Sequence, residues 1–285
     1  MGGQFLYETF DLNDARLVSN LDEFALWSAP FGLKLLDCIK LKKGMNVLDI
    51  GFGTGFPLLE ISQRLGQASN VFGIDPWDTA IARTNQKIKF FGLTNVQVQH
   101  AVAEEIPFPD QFFDLVVSNN GLNNVEDLDR SLSECGRVCR PEAQMVITMN
   151  LPETFMEFYA IYRQSLSELG LEKLHKNIDD HIFHKRKTVD YLRDKIENHG
   201  FSFNRMHLDS FHYKFVDGTA LLNYSFFKIA FLEPWKNCLD AELAPAVFEQ
   251  LENNLNNFAL KNNGIELTVP FVCFDLKRNK DYGAA

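Results

Sequence analysis

Three glycines at alternate positions, Gly51, Gly53 and Gly55, follow a short apolar run that carries Asp49 near its end. Glycine has no Cβ, so such a turn bends tightly and lets a ligand come close to the backbone. The helix that must begin after Gly55 directs its unpaired N–H groups and positive dipole end to the same place. The polar end of a ligand is the chemistry to expect there. The spacing reads G-x-G-x-G, and Phe56 occupies the place of the third glycine in the dinucleotide pattern. With no diphosphate to accommodate, a carboxylate-bearing nucleoside fits the turn better. Asp75 lies 20 residues after Gly55, at the end of a second apolar run. Doubly wound folds set an acid against ribose hydroxyls at that point, where a carboxylate can accept two hydrogen bonds from a vicinal diol. Capping of the next helix, with Pro76 in its first turn, is the alternative use of Asp75.

Other reactive residue types are scattered. His181 and His184 share a helical face, but no third ligand stands at a recognised spacing, so no metal is expected. His181, His184, His212 and Tyr7 are the candidate general bases, and none carries a distinguishing signature. Five cysteines without a Cys-x-x-Cys pair read as small buried hydrophobes in a reducing compartment. The net charge of -10 and pI near 5.2 argue against general affinity for nucleic acid or an anionic membrane. Lys185-Arg186-Lys187 is the compact basic run and reads as a solvated helix end. The start Met1-Gly2-Gly3-Gln4-Phe5-Leu6 lacks the hydroxyl residue that myristoylation needs. No signal peptide or membrane-length apolar run is visible, so a cytoplasmic protein is expected.

The elements that must position the turn follow from periodicity. Met45 to Ile50, Asn70 to Ile74, Val96 to His100, Phe112 to Val117 and Gln144 to Met149 read as strands. Helices over 55–65 and 77–91 close at Gly66 and Gly92, and Val125, Leu128, Leu132, Cys135 and Cys139 mark another. This alternation implies right-handed βαβ units and a parallel sheet. Before it, 11–40 reads as two helices separated around Ser28-Ala29-Pro30.

After it the character changes. Asn150-Leu151-Pro152-Glu153 reads as a helix start, with Asn150 as N-cap, and helical spacing runs on to Gly170. Residues 188–199 form a further helix, 201–215 an extended segment, and about 217–232 and 240–262 two more helices. A last strand runs from Ile265 to Cys273, where Pro270 demands a bulge or an unpaired stretch. Between 151 and 233 stand ten phenylalanines and five tyrosines. Such a segment suggests a helical lid over an aromatic-lined pocket, although most of those rings must build the segment's own core.

The chain resembles the class I S-adenosylmethionine-dependent methyltransferases of the type-11, menaquinone-methyltransferase-like group. The matching pieces are Val47-Leu48-Asp49-Ile50-Gly51-Phe52-Gly53-Thr54-Gly55, Gly73-Ile74-Asp75, the run from Ala103 to Ser118, and Glu134 to Pro141. The resemblance implies an α/β, Rossmann-like, doubly wound sheet of seven mainly parallel strands with a reversed last strand, plus a helical lid insertion. It implies an N-terminal helical cap over 1–44, a cofactor-binding core over 45–150, the lid over 151–187, and the rest of the sheet with additional helices over 188–285. S-adenosyl-L-methionine would be the cofactor. Asp49, Gly51, Phe52, Gly53, Thr54 and Gly55 would line its methionine end and Asp75 its ribose. Pro76, Trp77, Ala103 and Glu104 would lie near the adenine, and Ser118 and Asn119 below the sulfonium.

Two departures from the family pattern stand out. Val102 occupies a position that is often acidic in the family, and Asn123-Asn124 stand where many relatives carry histidines. The expected reaction is methyl transfer to a small, partly apolar or aromatic acceptor by in-line displacement, with the accepting atom open. A cofactor-binding protein without transfer and a nicotinamide oxidoreductase are the competing readings. Nucleic acid and membrane are not expected partners, and the oligomeric state is open.

Overall fold

The computed structural model describes residues 4–23 and 26–280; residues 1–3, where the myristoylation reading falls, lie outside them. In chain order the elements are α1 (Ala15–Leu21), α2 (Ser28–Cys38), β1 (Asn46–Ile50), α3 (Leu58–Leu65), β2 (Asn70–Asp75), α4 (Asp78–Phe91) and β3 (Val96–His100). Then come β4 (Phe113–Asn119), α5 (Leu128–Val138), β5 (Cys139–Asn150), α6 (Met156–Glu168), α7 (His175–Lys185), α8 (Val189–Asn198) and β6 (Phe201–Phe215). The short helices α9 (Gly218–Leu222), α10 (Ser225–Ala230) and α11 (Leu232–Lys236) precede α12 (Ala244–Asn262) and β7 (Ile265–Arg278).

The seven strands form one sheet in the order β3-β2-β1-β4-β5-β7-β6, as expected for a doubly wound fold with a reversed last strand. β1 to β5 pair in parallel and β7 runs antiparallel to β5. Strand order reverses at β1, which has β2 on one side and β4 on the other. The crevice beyond the strand ends at such a switch point is where open α/β sheets bind ligands.

The chain divides into two compact units. One comprises residues 12–150, 188–209 and 271–285 and contains β1 to β5. Its core is built by Val47, Phe52, Leu58, Ile61, Val71, Leu115, Val117 and Val146, with Leu35 and Leu36 from α2. β1 and β4 are apolar on both faces because both are covered.

The other unit comprises residues 1–11, 151–187 and 210–270. Its aromatic residues pack on one another: Phe158 stacks on Trp235 at 4.2 Å, Phe155 meets Phe227 at 5.1 Å, and the Tyr162 hydroxyl donates to the Trp235 carbonyl at 2.9 Å. Phe155, Phe158, Tyr159, Tyr162, Phe227 and Trp235 are all buried, so the aromatic richness after residue 150 is largely a core.

Several boundaries differ from expectation. Pro30 belongs to the first turn of α2, where its missing N–H has no intrahelical acceptor to lose, and the break falls earlier, between α1 and α2. Asn150 is not a helix cap. It ends β5, and α6 starts only at Met156, because the Leu151 and Phe155 N–H groups donate to Pro270 and Thr268 instead. Pro270 stands just beyond the β5–β7 ladder, which ends at Asn150 and Phe271. The single helix expected over 217–232 is three short ones. Tyr224 adopts extended backbone between the first two, with its ring against Phe215 and Phe227. Aromatic packing there outweighs helix propensity, which is a weak preference of tenths of a kcal/mol per residue.

Candidate functional site

The glycine turn joins β1 to α3 at the switch point. Gly51, Gly53 and Gly55 all have positive φ (74°, 54° and 109°), a region costly for residues with a Cβ. At Gly51 there is a second constraint, since a Cβ would lie 3.1 Å from the Gly121 Cα. Hydrogen bonds hold the turn to its neighbours. Gly51 N–H donates to the Ile74 carbonyl at 2.9 Å, Gly53 N–H to Asp75 Oδ2 at 2.8 Å, and the Thr84 hydroxyl to the Gly53 carbonyl at 3.1 Å. Lys87 Nζ reaches the Thr54 carbonyl at 2.8 Å.

Asp75 is nearly buried, and its second oxygen accepts the Trp77 N–H at 2.8 Å. It orders the entry to α4, and a carboxylate with two accepted bonds retains lone pairs for further donors. Burial raises its pKa from the ordinary range, opposed by the Gly53 and Trp77 N–H groups and by His100.

Asp49 is fully buried, and among the described residues neither carboxylate oxygen has a partner in hydrogen-bond geometry. Burial, aided by the Asp75 carboxylate, pushes its pKa up to about 8 against a smaller pull from the Leu58 N–H. A buried carboxyl without protein partners awaits either a proton or a cation.

A cavity of about 630 Å³ opens beside these groups. Its walls come from the ends of β1 and β2 (Ile50, Gly51, Ile74, Asp75), from Pro76 and Trp77, and from the 101–104 and 121–130 loops. A second groove of about 420 Å³, lined by Lys40, Lys42, Lys43 and Arg140 at the opposite strand ends, has no such turn. We therefore take the larger cavity as the site.

The structure brings Gly51, Asp75, Pro76, Trp77, Ala103 and Glu104 together around that cavity. Other expected residues sit behind it. Phe52 is 1% exposed and packs against Gly73, where a Cβ would come within 2.6 Å of its ring. Ser118 is fully buried; its hydroxyl donates to the Ile50 carbonyl at 2.9 Å and accepts the Leu122 N–H at 3.2 Å. Asn119 donates to the Ser28 carbonyl at 3.0 Å and accepts the Thr148 hydroxyl at 3.0 Å. These bonds fix the loop after β4. Asn120, Asn123 and Asn150 tie the same loop to the end of β5.

Glu104 lines the cavity, but one of its oxygens accepts the Glu126 and Asp127 N–H groups at 2.8 and 3.1 Å, joining the two wall loops. Trp77 directs its indole N–H to the Leu12 carbonyl at 2.9 Å. Val102 is part-exposed in the wall, so an apolar surface stands where an acid was a possibility. Sequence reasoning missed Gly121 and Arg130. Gly121 admits no side chain, because a Cβ would lie 2.7 Å from the Ile50 carbonyl oxygen and 2.8 Å from Ser118 Oγ. No sequence signal marks it, since the nearest crowding atom belongs to Ile50, far back along the chain.

The wall loops are anchored from below. Arg137 on α5 pairs with Glu134 at 2.7 Å and Asp110 at 2.8 Å and donates to the Ile106 and Phe108 carbonyls. The four candidate bases all belong to the aromatic unit. There His181 Nε2 meets the Tyr159 hydroxyl at 3.0 Å, His212 lies 3.7 Å from Glu266, and Tyr7 and His184 are exposed. No group of three or more metal-binding side chains occurs among the described residues, and no described helix is long and apolar enough to cross a membrane.

Residues 48–147 match the family described as "Methyltransferase domain". The chain is 33% identical over 168 residues to the ubiquinone/menaquinone biosynthesis C-methyltransferase UbiE of Psychromonas ingrahamii, a match covering 58% of this chain and 64% of the relative. It is 29% identical over 176 residues to the demethylmenaquinone methyltransferase of Listeria welshimeri, covering 59% and 74%. Among solved structures, the YcgJ protein of Bacillus subtilis superposes with a TM-score of 0.58 at 15% identity, over 87% of this chain and 97% of that one. The [4+2]-cyclase SpnF superposes with 0.54 at 16% identity, over 88% and 80%. Such distant likenesses establish the fold, and the cyclase among them illustrates that this fold does not dictate one reaction.

Proposed function

We propose that this chain is a class I S-adenosylmethionine-dependent methyltransferase of the type-11 group, a reading supported by the match over residues 48–147 and by the similarity to the two quinone-pathway methyltransferases. We infer transfer of a methyl group to a small, partly apolar acceptor by in-line displacement. The observation that carries this reading is a single cavity bordered by the open turn at Gly51 and by Asp75, with Asp49 buried just behind the turn.

In this reading Asp49 and the backbone of Gly51 to Gly55 receive the methionine end. A carboxyl with two unpartnered oxygens suits an ammonium group, which would restore its charge. Asp75 retains lone pairs for the ribose diol. Pro76, Trp77, Val102 and Ala103 form an apolar wall suited to adenine, and Glu104 stiffens that wall through the Glu126 and Asp127 N–H groups.

When bound, the cofactor supplies a methyl group already activated on a sulfonium. The chain's part is then to bind, orient and exclude water. The relatives' names concern quinone biosynthesis and, in one case, methylation on carbon, so electron-rich quinols are the first acceptors to test. A carbon or amine nucleophile makes smaller demands on a protein base than a hydroxyl does.

The test is incubation with methyl-labelled S-adenosylmethionine and a panel of quinols, phenols and amines. Labelled small-molecule product supports the reading, and labelling confined to macromolecules would overturn it. A cofactor-binding protein without transfer is the second reading. It is favoured by Val102 and by Asn123, whose amide is spent on Asn120 and Asn150. Methylated product with any acceptor excludes it.

A further inference from the structure

Cys38 ends α2 and Cys273 lies in β7, yet their sulfurs are in contact, with Cys273 Sγ donating to Cys38 Sγ at 3.7 Å. Both are free thiols of the unit that carries β1 to β5. Cys135, Cys139 and Cys238 are buried, and among the described residues none of them makes such a contact with another cysteine. Those three act as small hydrophobes of the interior.

A hydrogen-bond bridge holds the Cys38–Cys273 pair in register. The Gln144 side chain on β5 donates from Nε2 to the Cys38 carbonyl at 2.9 Å and to Asp275 Oδ1 at 2.7 Å. Its Oε1 accepts the Lys40 N–H at 2.9 Å. Asp275 stands two positions beyond Cys273 in the strand, so the two share a face. One buried amide thus fastens the end of α2 to the face of β7 that carries Cys273. Contact between the sulfurs themselves is the geometry that thiol chemistry requires.

Access to the two thiols is unequal. Cys38 is half-buried and lines a cavity of about 460 Å³ with Lys34, Asp37, Arg205, His207 and Asp275, all of the same unit. Cys273 is fully buried and does not line that cavity. A small reagent in the cavity therefore meets Cys38 first. Burial raises the pKa of both groups, Cys273 further, so both are thiols at neutral pH. Reaction is slow beside that of an activated thiolate, but the second sulfur is already in place when it occurs.

We propose that Cys38 and Cys273 form a redox-responsive pair, in which a small hydroperoxide entering the cavity oxidises Cys38 and Cys273 resolves the product to a disulfide. In the first step the Cys38 sulfur attacks the peroxide. The O–O bond breaks, an S–O bond forms, and the thiol proton leaves with the departing oxygen as an alcohol, or as water from hydrogen peroxide. In the second step the Cys273 sulfur attacks the Cys38 sulfur. The S–O bond breaks, the S–S bond forms, and the Cys273 proton leaves with hydroxide as water. Two thiols are oxidised and one peroxide is reduced. The start of α2 is already held by the Asn119 amide, which donates to the Ser28 carbonyl at 3.0 Å. Closure of the pair would fix the other end of the helix to β7. The switch is independent of methyl transfer.

The test treats the reduced, folded full chain with hydrogen peroxide, blocks and counts the remaining thiols after unfolding, and maps cross-linked peptides by mass spectrometry. The parent should lose two of its five thiols, yield a Cys38–Cys273 peptide pair lighter by two hydrogens, and recover on treatment with dithiothreitol. Cys38→Ser should keep all its remaining thiols. Cys273→Ala should form no disulfide and leave Cys38 as a sulfenic acid that dimedone traps. Retention of all five thiols by the parent, thiol loss without the Cys38–Cys273 peptide, a cross-link through Cys135, Cys139 or Cys238, or an undiminished loss in Cys38→Ser would overturn the proposal. If either variant fails to fold, the peptide map of the parent decides.

Discussion

Replacing Asp49 by Asn should make the ligand-free protein more stable at neutral pH, although Asp49 belongs to the motif that defines the site. Its carboxyl is fully buried without hydrogen-bond partners among the described residues, and burial with the nearby Asp75 pushes its pKa from the ordinary 3.8 to about 8. The folded state therefore holds a proton that the unfolded state gives up above the ordinary value. Stability from this group is full below the unfolded pKa and is lost as pH rises towards 8. The loss is about 1.4 kcal/mol per pH unit. By pH 7 roughly three units separate the protein from the unfolded pKa, so the cost is about 4 kcal/mol. Asparagine has nearly the same shape and never ionises, so Asp49→Asn avoids that cost. Urea unfolding of both proteins from pH 4.5 to 8.5, followed by circular dichroism, reads the difference directly. The two should differ by about 1 kcal/mol near pH 4.5 and by about 4 kcal/mol at pH 7. A difference that stays flat across this range would refute the reasoning. The same variant should bind the cofactor more weakly, which would exemplify stability given up for function.

Cofactor binding should release up to one proton between about pH 5 and 7, as an ammonium group draws Asp49 back to its ionised form, so affinity should rise with pH until about 8. Calorimetry in two buffers of different ionisation enthalpy measures this, and identical heats would contradict it. Asp75→Ala should weaken S-adenosylmethionine binding by about 1.5–3 kcal/mol through loss of a charged hydrogen bond; unchanged affinity in calorimetry would remove Asp75 from the ribose role. Gly121→Ala should cost about 1–3 kcal/mol of stability, because its Cβ meets the Ile50 carbonyl and the Ser118 hydroxyl and one of the chains must shift. A variant of parental stability and parental cofactor affinity would show that this crowding is readily relieved.

Much of the fold was legible because the signals are local. Apolar runs and glycine stops place β1, β2 and β3 within a residue or so of where they lie: β1 is almost wholly buried, and β3 at the sheet edge alternates apolar with polar residues. Boundaries failed where distant partners intervened. Asn150 has the sequence of a helix cap, yet the next backbone N–H groups donate to Thr268 and Pro270, more than a hundred residues away. The three short helices after Gly218 follow from the seating of Tyr224 among aromatic rings, which no periodicity reports. The site divides in the same way. Gly51, Asp75 and Ala103 could be read as wall residues, whereas Ser118, Asn119 and Phe52 have the right address and are occupied behind the wall.

By itself the sequence determined the turn, the acid twenty residues beyond it and the succession of strands and helices along the first half of the chain, because each depends on backbone conformation and burial within a few residues. Tertiary structure alone decided which of those groups remain available to a ligand. Among the described residues Asp49 is left without a hydrogen-bond partner, while the Ser118 hydroxyl both donates and accepts. Whether a polar group is satisfied depends on atoms brought from far along the chain, and residue type and spacing carry no record of them.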